Sequence, residues 1–545
     1  YFSKNSAYNG FLFTKDAGGN EFSQIFWFDL DKGSYQMLSD GKSRNFGITW
    51  SNKGDQFAFT STRRNGAAND IYITNMETPA EAELVIDQGG GYWLTNDWSP
   101  DDRYLAVTLY RSINDADVYI YDTQDKSLSL ITESKEPTFE FGGGWSADGQ
   151  KLYLRTDRFG EFGVLAYYDL KKEKIVPITD DITWDVSGMA MNHDRTKMVF
   201  TLNAGGYTEP YLLNMSNNKF EKLSALPKGQ IGSVIFHPSD NKIAYTMENA
   251  ETPGDAFVYD LDDPENTRWT FSEVGGLNTE NFVKAELINY PTFDKVKGKP
   301  RMVPAFYYEP EGKGPFPTLI VIHGGPESQY TPGFSSFINY LVNEMNIAIV
   351  APNVRGSSGY GKSYLRLDNA YKREESVQDI GKLIEWIQDQ PQLDDEKIGV
   401  YGGSYGGYMV LASMFHFNEQ LSCGIDVVGI SNFVTFLENT EDYRRDLRRV
   451  EYGDERDEKM RAFLEKISPT NNVDQIKDPL FVIQGANDPR VPASESEQMV
   501  QKIRESGGEV WYLLALDEGH GFRKKGNRDY MYEAITLFLK DNLIK

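Results

Sequence analysis

The segment Gly402-Gly-Ser-Tyr-Gly406 decides the fold of the C-terminal half of the chain. It follows a short apolar run, residues 397–401, and precedes a helix-like run, residues 408–415. Glycines at both ends of the segment permit a tight turn between strand and helix that larger side chains would obstruct. Such a turn lifts its central side chain above the edge of a sheet. We therefore predict that Ser404 is a nucleophile, although a glycine-rich loop with an incidental serine would fit the same five residues.

Strands and helices alternate on both sides of this turn. Short apolar runs predict buried strands at residues 318–322, 348–351, 397–401, 480–484 and 510–516, after a strand pair at 283–290 and 302–308. Apolar positions at helical spacing predict an amphipathic helix within residues 377–387 and a closing helix within 531–539. The alternation predicts a mostly parallel sheet with helices on both faces, and with the Ser404 turn this is the α/β-hydrolase fold.

The N-terminal half contains a repeat that is visible six times. Short apolar runs, most of them ending in threonine, begin 45 to 48 positions apart, at Phe11, Phe57, Leu105, Leu152, Met198 and Ile243. A large apolar residue stands seven positions before each of the last five runs, namely Trp50, Trp98, Trp145, Met191 and Phe236. Turn residues and a second alternating strand complete each unit. Units of about 45 residues with this content are typical of the four-stranded blades of a β-propeller.

The repeat and the α/β pattern divide the chain into two domains. We predict an all-β propeller over residues 1–275 and an α/β-hydrolase domain over residues 276–545. At least six blades are visible in the sequence. The first unit begins at its turn, with nothing before it to supply an inner strand, so a seventh blade or a completing upstream strand is possible.

A serine nucleophile needs a base and a carboxylate that orients the base. Of the five histidines, His520 alone stands on a glycine-flanked loop directly after a predicted sheet strand. Asp488 also follows a predicted strand, and it gives the chain order Ser, Asp, His that this fold uses. Asp517, only three residues from His520, and Asp478, which precedes its strand, are less well aimed. We predict the triad Ser404, Asp488 and His520.

Two hydrogen-bond donors must stabilise the tetrahedral intermediate of such a reaction. The backbone N–H of Tyr405, directly after the nucleophile, is the first candidate. The second is expected in His323-Gly-Gly-Pro326, which follows a predicted inner strand. We predict the N–H of Gly325, because Pro326 has none. A turn without a catalytic role is the alternative interpretation of this segment.

Composition excludes several classes of function. A formal net charge of −25 would repel the phosphates of a nucleic acid. No apolar run approaches the roughly 20 residues that cross a bilayer. The single cysteine, Cys423, precludes an intrachain disulfide, and the dispersed histidines argue against a metal site. No sequence motif suggests a cofactor.

The compartment and the oligomeric state are left open by the sequence. One cysteine is compatible with the cytoplasm and equally with a bacterial periplasm or secretion. Because the chain opens at Tyr1 without a methionine, we expect that an upstream segment has been removed. Formation of a homo-oligomer remains possible.

Five motifs together resemble the prolyl oligopeptidase-type serine peptidases, and within them the acylaminoacyl-peptidase and dipeptidyl-peptidase branches. The motifs are His323-Gly-Gly-Pro326, Asn353-Val-Arg-Gly-Ser-Ser-Gly-Tyr-Gly361, Gly402-Gly-Ser-Tyr-Gly-Gly-Tyr408, Gly485-Ala-Asn-Asp488 and Glu518-Gly-His-Gly-Phe522. The resemblance implies cleavage of short peptides near a proline, a hydrophobic residue or a blocked N-terminus. It also implies that the propeller caps the active site and excludes folded proteins.

The resemblance further implies a substrate pocket built from residues after Cys423. Phe433, Phe436 and Tyr443 are candidates for it, although they fit the core equally well. Four arginines follow, at positions 444, 445, 448 and 449, and one of them is a candidate ligand for a substrate carbonyl or carboxylate; a solvated helix face is the alternative. No acidic pair that would anchor a substrate amine is evident in the propeller, so exopeptidase and endopeptidase activities both stay open.

Three functions are compatible with the sequence. The first is a serine peptidase that hydrolyses short peptides, and the second is a carboxylesterase that uses the same triad on small esters. The third is a propeller binding module joined to an inactive hydrolase domain. A size-selecting propeller favours the peptidase, and the complete set of Ser404, Asp488 and His520 argues against an inactive domain.

Overall fold

The computed structural model describes residues 1–88 and 91–545. Six small antiparallel sheets occupy the chain up to Arg268, and one sheet of eight strands begins at Glu286. Helices alternate with the strands of this larger sheet. The prediction of an N-terminal β-propeller followed by an α/β-hydrolase domain with a mostly parallel sheet is confirmed.

Five of the six blades have four strands in chain order, and the first has three. The strands are β1 Gly10–Lys15, β2 Gln24–Asp29 and β3 Ser34–Met37 in blade 1; β4 Asn45–Trp50, β5 Gln56–Ser61, β6 Asp70–Asn75 and β7 Glu83–Ile86 in blade 2; β8 Tyr92–Trp98, β9 Tyr104–Ser112, β10 Asp115–Asp122 and β11 Ser127–Leu130 in blade 3; β12 Glu140–Trp145, β13 Lys151–Thr156, β14 Val164–Asp169 and β15 Lys174–Pro177 in blade 4; β16 Asp185–Met191, β17 Lys197–Ala204, β18 Tyr207–Asn214 and β19 Lys219–Lys222 in blade 5; β20 Gln230–Phe236, β21 Lys242–Asn249, β22 Thr252–Asp260 and β23 Asn266–Arg268 in blade 6.

The inner edge of blade 1 is occupied by the first residues of the chain. Phe2 forms an isolated antiparallel bridge with Phe11 of β1. The backbone N–H of Leu12 donates to the carbonyl of Tyr1 at 2.9 Å. These contacts satisfy part of the strand edge that would otherwise be open.

The spacing of the repeat has a structural cause. Each large apolar residue ends the first strand of its blade and pairs across the sheet with the first residue of the next apolar run, as Trp98 does with Leu105. The indoles of Trp98 and Trp145 also donate to backbone carbonyls of the preceding blade, at Thr49 and Asp97, over 3.1 and 3.2 Å. One side chain therefore fixes the register within a blade and the contact to its neighbour.

The hydrolase sheet has the strand order β24-β25-β27-β26-β28-β29-β30-β31. The pairs β24–β25 and β25–β27 are antiparallel, and the remaining pairs are parallel. The strands are β24 Glu286–Val296, β25 Lys299–Tyr308, β26 Phe316–Ile322, β27 Ala348–Pro352, β28 Leu393–Gly403, β29 Cys423–Val427, β30 Leu480–Gly485 and β31 Val510–Ala515.

Helices cover both faces of this sheet. They are α1 Ser336–Asn343, α2 Lys362–Leu365, α3 Arg373–Gln388, α4 Tyr405–His416, α5 Phe433–Asn439, α6 Asp442–Tyr452, α7 Glu458–Ile467, α8 Ala493–Glu505 and α9 Lys525–Leu539. Apolar residues of α3, α4 and α8 share one buried cluster, and those of α1 and α9 share another on the opposite face. No helix in the described ranges is both long enough and apolar enough to span a bilayer.

One strand was not predicted. The strand β29 has the sequence Cys-Gly-Ile-Asp-Val, and every one of its five residues is buried. A glycine and an aspartate interrupt its apolar pattern, so the segment carries no strand signal of its own. Its position between β28 and β30 supplies the pairing that makes it a strand.

A single arginine joins four blades at one end of the propeller. Arg195 lies in the turn between β16 and β17 of blade 5, and its guanidinium is 2.5 Å from the Asp97 carboxylate of blade 3. It also donates to the Trp145 carbonyl of blade 4 at 2.9 Å and to the Asn52 side chain of blade 2 at 3.2 Å. Arg195 and Asp97 are both largely shielded from solvent. The contacts tie blade 5 to blades 2, 3 and 4, with which it shares no β-ladder.

We expect Arg195→Met to lower the free energy of unfolding by about 3 kcal/mol, because it leaves the shielded Asp97 carboxylate without its partner. Thermal denaturation followed by circular dichroism would measure the change. Arg456→Met is the control, since Arg456 pairs with the surface residue Asp454 and, in the described part of the chain, with no other carboxylate, so its loss should cost little. Equal effects of the two substitutions would contradict this account of the propeller.

Candidate active site

Ser404 occupies the sharp turn between β28 and α4. Its backbone angles, φ 60° and ψ −119°, lie in a region that a residue with a side chain rarely adopts. The Ser404 N–H donates to the carbonyl of Val427, the last residue of β29, at 2.9 Å. This hydrogen bond ties the strained turn to the neighbouring strand. The predicted nucleophile thus lies at the carboxyl edge of the sheet.

Close packing explains the glycines of the motif. A Cβ atom at Gly402 would overlap the carbonyl of Gly406, and a Cβ atom at Gly406 would overlap the carbonyl of Ile322 in β26. The turn therefore folds back against its own strand and against the next strand of the sheet. Only glycine fits at these two positions without moving the backbone.

Asp488 and His520 are hydrogen-bonded to each other. Asp488 lies on the loop after β30, and His520 lies on the loop after β31. The Nδ1 atom of His520 is 2.7 Å from Oδ2 of Asp488. The Asp488 side chain is fully buried, and that of His520 is 9% exposed. The structure therefore brings these two predicted residues together in a site that is nearly closed to water.

Both loops are fixed by further hydrogen bonds. The Oδ1 atom of Asp488 accepts from the backbone N–H groups of Arg490 and Val491 at 2.8 and 3.0 Å. The buried Glu518 accepts from the backbone N–H of Lys524 at 2.9 Å and from the Asn527 side chain at 2.9 Å. These contacts leave Oδ2 of Asp488 facing the imidazole.

The hydroxyl of Ser404 is not bonded to His520 in this structure. Across the described residues, the Asp488 contact is the one side-chain hydrogen bond that His520 makes. Bonds of this kind are often long in a site without substrate and tighten when substrate binds. The structure therefore positions the carboxylate–imidazole pair, while the bond between the imidazole and Ser404 stays a prediction.

The loop with His323 lies against the Ser404 turn. A Cβ atom at Gly324 would lie 3.3 Å from the Ser404 Cβ, so the two loops are in contact. His323 lies 2.8 Å from the Ser357 hydroxyl, and burial lowers the pKa of its imidazole. Gly325 has φ 126°, and Tyr405 is the first residue of α4, where backbone N–H groups lack helical partners. The arrangement keeps Gly325 and Tyr405 as candidate oxyanion donors.

The three aromatic pocket candidates have different surroundings. Phe433 and Phe436 are fully buried in the core of the domain, where the Phe433 ring lies 4.6 Å from Tyr408 and 5.2 Å from Tyr452. Tyr443 lines a cavity between the two domains. A role of these residues in binding substrate stays a prediction.

A propeller loop touches both loops of the candidate site, and no sequence pattern predicts this contact. The side chain of Asn487 donates to the carbonyl of Gly18 at 3.0 Å. Gly19 packs so closely on Gly519 that a Cβ atom at Gly19 would lie 2.6 Å from the Gly519 nitrogen. Glu21, from the same loop, pairs with Arg490 at 2.6 Å. These contacts join residues nearly 500 positions apart, so no local pattern could reveal them.

In residues 1–88 and 91–545, no three His, Cys, Asp or Glu side chains are grouped in a way that would hold a metal ion.

Comparison with protein families gives two matches that cover most of the chain. Residues 2–272 match the family model of the prolyl oligopeptidase N-terminal β-propeller domain, and residues 332–545 match that of the prolyl oligopeptidase family. The two matches fall on the propeller and on the part of the hydrolase domain that contains Ser404, Asp488 and His520.

Individual relatives agree with the family models. The chain is 29% identical to dipeptidyl aminopeptidase BIII of Pseudoxanthomonas mexicana, over 96% of this chain and 77% of that protein. It is 24% identical to dipeptidyl peptidase family member 6 of Caenorhabditis elegans, over 94% of this chain and 80% of that protein. A puromycin-hydrolyzing peptidase of Mycobacterium tuberculosis has the same fold, with a TM-score of 0.85, 18% identity and coverage of 98% of this chain and 84% of the other.

The resemblance predicted from the five motifs is thereby confirmed. The two family models match the propeller and most of the hydrolase domain. The sheet topology and the turn at Ser404 agree with the same family. The chain belongs to the prolyl oligopeptidase family and is a serine peptidase.

Proposed function

We propose that this chain hydrolyses short peptides through an acyl-enzyme on Ser404, with His520 as general base and Asp488 as the residue that orients it. The observation that supports this most strongly is the 2.7 Å contact between the buried Asp488 and Nδ1 of His520. Ser404 occupies a strained turn after β28, a strand of the same sheet. A carboxylate at Nδ1 fixes the tautomer whose Nε2 atom is free to accept a proton.

The reaction would proceed in two steps. In the first, His520 Nε2 takes the proton of the Ser404 hydroxyl as the oxygen attacks the scissile carbonyl, and then gives it to the departing amine. In the second, a water molecule attacks the acyl carbonyl as it loses a proton to His520, and His520 then gives that proton to the Ser404 oxygen as the acyl group leaves as a carboxylic acid. Asp488 stays ionised throughout and stabilises the imidazolium.

The negative charge on the substrate oxygen would be held by two backbone donors. We assign these to the N–H groups of Tyr405 and Gly325, whose loops lie in contact at the Ser404 turn. The N-terminal end of α4 adds a favourable dipole at the same place. Donors that are already fixed in position need no reorganisation when the charge develops.

The propeller would act as a size filter. It contacts the hydrolase domain on several sides of the sheet edge, through Glu161 with Ser363 at 2.8 Å, Asn203 with Gln329 at 2.6 Å and Arg490 with Glu21 at 2.6 Å. A cavity of about 560 Å³ lies among the inner strands of blades 3 to 5. An extended peptide can enter a space of this size, whereas a folded protein cannot.

The relatives favour a peptidase over a carboxylesterase, because one of the two relatives above is named a dipeptidyl aminopeptidase and the other a dipeptidyl peptidase family member. The names of these relatives also suggest which peptides this chain cleaves. We infer that the substrates are short peptides of the acylaminoacyl-peptidase, dipeptidyl-peptidase or oligopeptidase type.

Ser404→Ala should lower kcat for peptide substrates by about 10⁵- to 10⁶-fold, because it removes the attacking oxygen. Chromogenic dipeptidyl and acylaminoacyl amides would serve as substrates. Ser413→Ala is the matched control, since Ser413 lies on the helix α4, is fully buried and has a hydroxyl without a hydrogen-bond partner among the described residues. Retained activity in the Ser404 variant would refute the assigned nucleophile.

Substrate choice separates the peptidase from the esterase. We expect the enzyme to hydrolyse dipeptidyl amides and the amides of longer short peptides. A denatured protein that contains the same sequences should be cleaved only after it has been cut into short peptides. Mass spectrometry of a peptide library, with a panel of simple esters and a folded protein for comparison, would measure this. Activity on esters alone would contradict the proposal, and efficient cleavage of the folded protein would contradict the size filter.

Gly19→Ala should reduce kcat/KM by about 10- to 100-fold, because the new Cβ pushes on the Gly519 backbone beside His520 and displaces the base. Gly33→Ala is the matched control. Both glycines have positive φ angles in propeller turns, 80° and 62°, but Gly33 has no atom of another residue near the added Cβ. Equal activities of the two variants would show that this interdomain contact does not position His520.

A further inference from the structure

A cavity between the domains is lined by four arginines in a chain of strongly negative net charge. It has a volume of about 330 Å³. Arg44 comes from the propeller, and Arg444, Arg448 and Arg490 come from the hydrolase domain. Glu21 is the one carboxylate among the lining residues. The positive charge of this cavity needs an explanation, because burying like charges together is unfavourable.

Two of the four arginines already have carboxylate partners. Arg490 pairs with Glu21 at 2.6 Å. Arg448 pairs with the buried Glu451 at 3.0 Å. The charges of Arg490 and Arg448 are therefore balanced by carboxylates of the protein itself.

Arg44 and Arg444 have no carboxylate partner among the described residues. The guanidinium of Arg44 lies over the ring of Tyr443 at 4.5 Å and donates to the Tyr92 hydroxyl at 3.0 Å. The Nε atom of Arg444 is buried without any hydrogen-bond partner in the described chain. Burial, followed by the charges of Arg448 and Arg490, lowers the pKa of Arg444 to about 10, so it still carries its proton at neutral pH.

The cavity adjoins the loops of the proposed active site. The helix α6, which carries Arg444, begins beside the Asp488 loop, where the Glu441 N–H donates to the Pro489 carbonyl at 3.3 Å. The helix ends at the loop that carries the candidate oxyanion donor Gly325, where the Tyr452 hydroxyl donates to the Gly325 carbonyl at 3.4 Å. A peptide bound across Ser404 therefore has this cavity within reach of one of its ends.

We propose that Arg44 and Arg444 together bind a carboxylate group of the peptide substrate. This inference rests on the proposed function and adds a substrate class to it. A carboxylate matches the forked N–H donors of a guanidinium. It also supplies the negative partner that Arg44 and Arg444 lack among the described residues. Because one arginine comes from each domain, binding would also join the two domains across the substrate.

A carboxylate on a peptide has two sources, the C-terminus and an acidic side chain. Matched peptide pairs distinguish them: a free C-terminal carboxylate against the carboxamide, and Glu against Gln at each position near the cut. In the wild-type enzyme we expect one type of pair to show a kcat/KM about 10- to 100-fold higher for the carboxylate member, as for a charged hydrogen bond.

Arg444→Gln and Arg44→Gln should each bring that preference close to unity, mainly through KM. Arg444→Lys, which keeps the charge but loses the fork, should retain part of it. Arg445→Gln is the matched control, because Arg445 lies next to Arg444 on α6 and pairs with Asp442 at 2.8 Å. It should leave the preference intact.

Equal rates for all pairs in the wild-type enzyme would overturn the carboxylate site and leave the proposed function standing. A preference that survives in both glutamine variants would also overturn it. If the wild-type enzyme cleaved no peptide at all, the proposed function itself would be refuted, and the carboxylate site with it. Circular dichroism and the thermal unfolding midpoint check that each variant is folded.

Discussion

The site depends on the fact that parallel strands present their carboxyl ends at one edge of a sheet. The strands β28, β30 and β31 therefore deliver Ser404, Asp488 and His520 to the same edge, although the three residues are far apart in sequence. The 2.7 Å contact of Asp488 with His520 ties two of these loops together in a buried setting. Charge-assisted hydrogen bonds are strongest where water is excluded, so burial and geometry act together here.

The propeller contributes to this edge as well as covering it. Its blades are held in register by tryptophans at the ends of their first strands and by Arg195, which spans four blades. That rigid support places the loop of Gly19 against Gly519 and brings Glu21 to Arg490. The Asp488 and His520 loops thus contact a domain that supplies none of the three proposed triad residues.

The sequence predicted those features that local patterns encode. The repeat of apolar runs and the Gly402–Gly406 turn each depend on nearby residues, and the structure has both where the sequence placed them. The strand β29 was missed because Asp426 interrupts it; burial raises the pKa of this carboxyl to about 7, and only the flanking strands make the segment extended. The contacts of Glu21 with Arg490 and of Arg44 with Tyr443 were missed because these partners lie in the other domain. Contacts between residues so far apart in the sequence produce no periodic pattern from which they could be predicted.

The most direct test of the central claim is covalent labelling with a fluorophosphonate, followed by peptide mapping. An activated serine reacts with this reagent, whereas an ordinary serine hydroxyl does not. We expect one adduct, on Ser404, and a much slower reaction in His520→Ala. An adduct on another residue, or equal labelling rates with and without His520, would contradict the central claim.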